Sequence, residues 1–123
     1  MTDRTFKVVI AGGRDFSDYE LLKRMCDYYL QDKVSNGYEI IIVSGRARGA
    51  DKLGEKYADE KGYKKAFYPA DWNLGKGAGH IRNRQMAVFA DSAILFWDGV
   101  SRGTKNMKDN MDKLNKPYRI CYY

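Results

Sequence analysis

The stretch Phe6-Lys7-Val8-Val9-Ile10-Ala11-Gly12-Gly13-Arg14-Asp15-Phe16-Ser17 decides how the rest of the chain is read. It is a β-branched apolar run that stops at two glycines, as a buried strand leaving into a tight turn does. Beyond it, Leu21, Leu22, Met25, Cys26, Tyr29 and Leu30 recur at the spacing of one helix face. Ser17, with Glu20 three residues on, predicts a capping box at the start of that helix. Strand, glycine turn and amphipathic helix in that order make one βα unit.

The unit repeats. Ile40–Val43 is a second buried strand, followed by the loop Ser44–Asp51 and a helical face of Ala50, Leu53, Tyr57 and Ala58 that Gly62 stops. Lys65–Pro69 is a short third strand, and Ala70–Gly79, with three glycines and no periodicity, reads as a long loop. A helix is expected from about Ile81 to Ala90, a fourth strand over Ser92–Trp97, and a glycine-bearing turn over Trp97–Gly103. Met107, Met111 and Leu114 mark a last helix with Thr104 as its N-cap; Pro117 ends it, and Tyr118–Tyr122 is a fifth strand. Strands alternating with helices through right-handed crossovers predict an α/β, Rossmann-like three-layer sandwich. Its sheet would have five parallel strands in the order 3-2-1-4-5, with helices on both faces.

Composition agrees. A chain of 123 residues, 44% hydrophobic and 31% charged, fits one globular domain over residues 1–123. The longest apolar runs, such as Ala93–Trp97, are too short to span a bilayer, so no membrane partner is expected. Met1-Thr2-Asp3-Arg4 offers no apolar stretch for a signal peptide, which predicts a cytoplasmic protein. Cys26 and Cys121 lack metal-ligand spacing and His80 is the single histidine, so neither a metal site nor a histidine-based hydrolase triad is expected, and no cofactor. The net charge of +6 favours anionic partners, either polyanions or small phosphorylated ligands.

In a sheet of this kind ligands bind beyond the carboxyl ends of the strands. The first loop contributes Gly12, Gly13, Arg14 and Asp15 as candidate ligand-binding residues. The second contributes Ser44, Gly45, Arg46, Arg48, Gly49 and Asp51. Trp72 lies in the third, Arg82 and Asn83 in the helix after it, and Trp97, Arg102, Gly103 and Thr104 around the fourth. Glycines let backbone amides approach a phosphate, helix N-termini add partial positive charge, and arginines give bidentate hydrogen bonds. The dinucleotide fingerprint GxGxxG and the Walker pattern are both absent. Trp72 and Trp97 either stack on a base or pack a loop over the sheet edge. Asp51 either caps its helix or holds a ribose hydroxyl, Asp15 anchors the first loop, and His80 is a solvated loop residue or an anion contact. Lys105 and Lys108, early in their helix, run against its dipole and add to the anionic reading.

Five ordered motifs carry a family resemblance. They are Ala11-Gly12-Gly13-Arg14-Asp15-Phe16, Ser44-Gly45-Arg46-Ala47-Arg48-Gly49-Ala50-Asp51, Pro69-Ala70-Asp71-Trp72, Gly77–Met86 and Gly103-Thr104. Over residues 6 to 121 the chain resembles the DUF2493 (YspA-like) family of the SLOG superfamily of Rossmann-like nucleotide-binding domains. That superfamily includes LOG-type phosphoribohydrolases, DNA-processing protein A, and sensor domains for NAD- or ADP-ribose-derived nucleotides. The resemblance implies a nucleotide-derived small molecule bound at the sheet edge by a sensor or sequestering protein of a bacterium or phage. One alternative is nucleoside 5′-monophosphate hydrolysis, for which Arg82 would be the catalytic arginine. Against it, Asn106 or Met107 stands where the LOG pattern has its glutamate, and N-glycosidic cleavage needs a carboxylate, which Asp51, Asp71, Asp98 or Asp109 would have to supply from another loop. A second alternative is a single-stranded DNA-binding module. A homodimer is compatible with either.

Overall fold

A computed structural model describes residues 4–123; Met1, Thr2 and Asp3, on which the signal-peptide expectation partly rests, lie outside the described residues. The elements run β1 (Thr5–Gly12), α1 (Tyr19–Ser35), β2 (Glu39–Ser44), α2 (Ala50–Lys61), β3 (Lys64–Phe67), α3 (Ala78–Phe89), β4 (Ser92–Trp97), α4 (Arg102–Lys113) and β5 (Tyr118–Tyr122). All strand pairs are parallel and the order is β3-β2-β1-β4-β5, the expected Rossmann-like arrangement.

The apolar run of β1 feeds two cores because successive side chains point to opposite faces. Val8 and Ile10 pack with Leu22, Cys26 and Leu30 of α1 and Tyr57 of α2. Val9 and Ala11 pack with Met86 and Ala87 of α3 and Met107 and Met111 of α4. Helices therefore cover both faces, and β1 and β4, buried on both sides, read as unbroken apolar segments. From β1 the chain winds outward through β2 and β3, then crosses to β4 and β5 on the other side. Strand order reverses between β1 and β4, and there the Gly13 amide donates to the Phe96 carbonyl (3.0 Å).

Several boundaries differ from expectation. Asp18, not Ser17, caps α1, accepting from the Leu21 amide at 3.1 Å. Within Ala70–Gly79, Trp72–Leu74 forms one 3-10 turn, with the Asp71 carboxylate accepting from the Asn73 amide (3.1 Å). Helix α3 begins at Ala78, so His80 is an exposed residue of its first turn. Thr104 is not an N-cap; α4 starts at Arg102 after Ser101, and Thr104 is buried inside its first turn. No helix among the described residues is long and apolar enough to cross a membrane.

Candidate functional site

At the switch point a cavity of about 710 Å³ opens between the loops that leave β1, β2 and β4. A second cavity, about 470 Å³, adjoins it beside the loop that leaves β3. Arg14, Ala47, Arg48 and Arg82 line both, so these residues form the seam between them.

Arg82 is held in place by two hydrogen bonds. It projects from α3, is only 9% exposed, donates Nη1 to the Gly45 carbonyl (2.7 Å) and Nε to Asn83 Oδ1 (3.0 Å). Gly45 permits this approach, since a Cβ there would lie 2.6 Å from Nη1. Arg82 Nη2 makes no hydrogen bond among the described residues. Burial, and then the nearby Arg14 charge, lowers the guanidinium's proton affinity, while Asp51 opposes both; the group stays cationic because arginine starts so high.

Asp51 is the buried acid of the site, 4% exposed in the first turn of α2. Burial pushes its carboxyl up to about 6, against hydrogen bonds from the Ala47 and Gly12 amides and the charge of Arg82. The N-cap of α2 is Gly49, so Asp51 ties two loops together instead of capping its helix. Asp98 lies at the rim of the larger cavity, its carboxyl held below the usual range by the Ser101 and Val100 amides.

The loop after β2 is braced from behind. Buried Ser44 donates to Glu55 Oε2 (2.7 Å) and accepts from the Arg46 amide (3.0 Å). Arg46, with a left-handed φ of 63°, pairs with Glu55 (3.2 Å) and lies 4.2 Å from the centre of the Phe67 ring. Gly49 (φ 81°) sits against the first loop: a Cβ would collide with the Gly13 carbonyl and come 2.7 Å from the Arg14 carbonyl oxygen. The Ala50 amide donates to that same Gly13 carbonyl at 3.2 Å. The first loop is held from its other side by Tyr123, whose hydroxyl donates to Asp15 (2.6 Å) and whose ring packs edge-on against Phe16.

The structure brings most of the sequence-predicted site residues together. Gly12, Gly13, Arg14, Asp15, Arg48 and Asp51 line the larger cavity, as do Arg82, Asn83, Gly103 and Thr104. Gly45, Arg46 and Trp72 line the smaller one. Ser44 and Gly49 line neither and shape the loop from behind. Trp97 and Arg102 also line neither. Trp97 donates Nε1 to the Ser101 carbonyl (3.0 Å) and stacks on Tyr122, so it packs the loop. Lys105 and Lys108 line neither cavity, and each pairs with an acid one turn on, Asp109 (2.9 Å) and Asp112 (3.0 Å). Sequence reasoning missed Ala47, Glu55 and Tyr123 as site or bracing residues. Only Glu55 left a signal, an acid four residues after Asp51 on the packed side of α2. Among the described residues, no three of His, Cys, Asp and Glu are grouped as a metal site requires.

A model of the YspA, cpYpsA-related SLOG family matches residues 6–75. A gene 61 protein from Mycobacterium phage D29 is 30% identical over 118 residues, 90% of this chain and 92% of its own length. The chain belongs to this SLOG family. Its fold is similar to that of DNA processing protein A (DprA) from Streptococcus pneumoniae, with TM-score 0.71 and 19% identity over 94% of this chain. It is also similar to DNA processing protein A from Helicobacter pylori, a protein described for its single-stranded DNA binding mode, with TM-score 0.65 and 24% identity over 96% of this chain. The chain spans 50% of the first protein and 66% of the second. In this SLOG chain, Asn106 uses its side-chain oxygen to accept from Asn83 Nδ2 (3.1 Å), and Met107 lines the larger cavity. Neither of the two residues that stand where a LOG-type glutamate is expected is a carboxylate: Asn106 fastens α3 to α4 and Met107 is a thioether.

Proposed function

We propose that this SLOG chain binds a nucleotide or nucleotide-derived ligand at the carboxyl edge of its sheet, as a sensor or sequestering protein. The observation that carries the reading is Arg82: a buried guanidinium lining both cavities, fixed by a backbone carbonyl and an amide, with one nitrogen free of hydrogen bonds among the described residues. An arginine so placed is preorganised for an anion, because its desolvation and side-chain ordering are already met by the fold. Across the cavity, Gly103 and Thr104 belong to the first turn of α4, where unpaired amides and the helix dipole favour a phosphate. Acidic residues at the same cavity, Asp51 above all, suit ribose hydroxyls or base amino groups. The phage relative supports a bacterial or phage setting.

The test is retention of nucleotides from a mixture of nucleoside monophosphates, NAD and ADP-ribose by the purified protein, read by mass spectrometry. One compound held intact is expected, with Arg82→Ala weakening it by about tenfold or more, as loss of a charged hydrogen bond does. Arg82→Lys, judged alongside circular dichroism, separates loss of the fork from loss of the fold. Free base with ribose phosphate in the filtrate would instead make the chain a hydrolase.

The resemblance to the Helicobacter pylori protein favours one second reading, single-stranded DNA binding. It predicts an affinity that falls steeply with salt because several phosphates are engaged. A mononucleotide site gives a shallow slope.

A further inference from the structure

The four helices do not present the same kind of outer face. On α1, α2 and α4 the solvent side carries acids and bases together, with the ion pairs Lys23–Glu60, Lys61–Asp27, Lys105–Asp109 and Lys108–Asp112 among them. Helix α3 is different. Its exposed positions, His80, Ile81, Arg84, Gln85 and Val88, follow the three- and four-residue spacing of a single stripe. The helix contains no carboxylate, and among the described residues Arg84 enters no ion pair. Ile81 is 45% exposed and Val88 55%, unusual values for branched aliphatic side chains on a packed helix. The 3-10 turn that packs beside the amino end of α3 adds exposed Trp72 and Leu74. A Cβ built on Gly79 would lie 3.9 Å from the Trp72 indole, so the ring borders the first turn of α3. The other large apolar side chains that stand exposed are spread over α1, β3, the loop before α4 and the last two residues. Apolar surface gathered on adjoining elements in this way marks a contact face.

We propose that this stripe is where two copies of the chain pair, with their α3 helices antiparallel about a two-fold axis. The inference does not depend on the nucleotide reading. In that arrangement the stripe is complementary to itself. A two-fold axis passing between Arg84 and Gln85 sets Ile81 opposite the partner's Val88 and Arg84 opposite the partner's Gln85, each contact made twice. Ile81 and Val88 are seven residues apart, about 10.5 Å along the helix, so an apolar contact lies on either side of a polar centre. At that centre the guanidinium donates to an amide oxygen, which needs no carboxylate. Parallel pairing would instead set Arg84 against the partner's Arg84, like charges with no acid on the helix to neutralise them. In a chain of net charge +6, a face with one cation is where two copies meet at low electrostatic cost. The same single cation is too little for a nucleic-acid strand or an anionic membrane, each of which draws on clusters of Lys and Arg. Trp72 and Leu74 lie past Ile81, so the carboxyl end of the partner's α3 comes to rest beside them. Trp72 also lines the smaller cavity, and the partner chain then adjoins that cavity. A helix of 12 residues is about 18 Å long, which puts the contact at the small end for protein interfaces and makes the dimer a reversible one.

Sedimentation equilibrium of the full chain, from micromolar to millimolar concentration, tests the pairing. A mass that rises from 14.2 kDa toward twice that value is expected. Ile81→Lys and Val88→Lys each add a positive charge to a stripe that already holds Arg84 from both copies. Each should weaken dimerisation at least about tenfold while the circular dichroism spectrum stays unchanged. The double variant Ile81→Lys/Val88→Glu should recover the dimer, because antiparallel pairing sets each introduced lysine against an introduced glutamate of the other copy. A native chain that keeps a mass of 14.2 kDa at every concentration would overturn the proposal. A dimer that survives both lysine variants would overturn it too, since its interface would lie elsewhere. A double variant that pairs no better than Ile81→Lys alone would overturn the antiparallel register.

Discussion

Replacing Asp51 by asparagine should change how stability depends on pH more than any other single substitution at the site. Asp51 is nearly fully buried, and burial raises its carboxyl from the ordinary 3.8 to about 6. An acid whose affinity for the proton is higher in the folded state than in the unfolded state stabilises the fold fully below the unfolded value. That contribution is lost as pH rises through the folded value. The window therefore runs from about pH 4 to about pH 6. A gap of about two pH steps at about 1.4 kcal/mol each is worth about 3 kcal/mol, an upper bound since the loop relaxes on ionisation. The amide of Asp51→Asn has no charge to bury, and its side-chain oxygen can still accept from the Ala47 amide. Urea unfolding of both proteins from pH 3.5 to 8 should show similar stability at the acid end. Asp51→Asn should then gain progressively between about pH 4 and about pH 6, by up to about 3 kcal/mol, and keep that gain at higher pH. Parallel pH profiles for the two proteins would refute the reasoning, because they would mean that Asp51 ionises as freely in the fold as out of it.

Two further substitutions test how the loops are held. Gly49→Ala places a Cβ against the Gly13 carbonyl at a left-handed φ; the conformational penalty of about 1–2 kcal/mol and loosening of the Ala50 and Phe16 hydrogen bonds to that carbonyl, about 1 kcal/mol each, give about 3–4 kcal/mol. Calorimetry should then show a melting point lower by about 10 °C or more, and a change of only a degree or two would show that the loops do not touch as described. Tyr123→Phe removes the hydrogen bond to Asp15 but keeps the ring against Phe16, so a loss of about 1 kcal/mol or less is expected. Faster hydrogen exchange at the Phe16 amide, without a general increase across β1, is the local signature to look for.

The amino-acid sequence by itself determined the architecture. Runs such as Val8–Ala11 and Ala93–Trp97 are apolar without alternation because both faces of a parallel strand are buried, and glycines punctuate where each strand turns toward its helix. Right-handed crossovers then leave few sheet orders, and the observed β3-β2-β1-β4-β5 is among them. The location of the site followed from the same logic, since strand carboxyl ends at a switch point converge whatever their side chains. Caps and partners were less legible. Ser17 and Asp18 are both good capping residues by type, and only the path of the backbone selects Asp18. Lys105 and Lys108 carry the right charge for an anion site, yet each pairs with an acid one helical turn away and neither lines a cavity.

What tertiary structure alone decided was which polar groups are spare. Trp72 and Trp97 look alike in sequence, each near the end of a strand or its loop. Trp97 is consumed by the Ser101 carbonyl and the Tyr122 ring, whereas Trp72 remains exposed beside Arg82. Among the arginines, Arg46 is spent on Glu55 and Phe67, while Arg82 is buried with one nitrogen that no described residue engages. Local sequence sets what a side chain is able to bind. Whether it is still available depends on contacts between residues distant in the chain, such as Tyr123 with Asp15 and Arg82 with Gly45, which exist only once the sheet has formed.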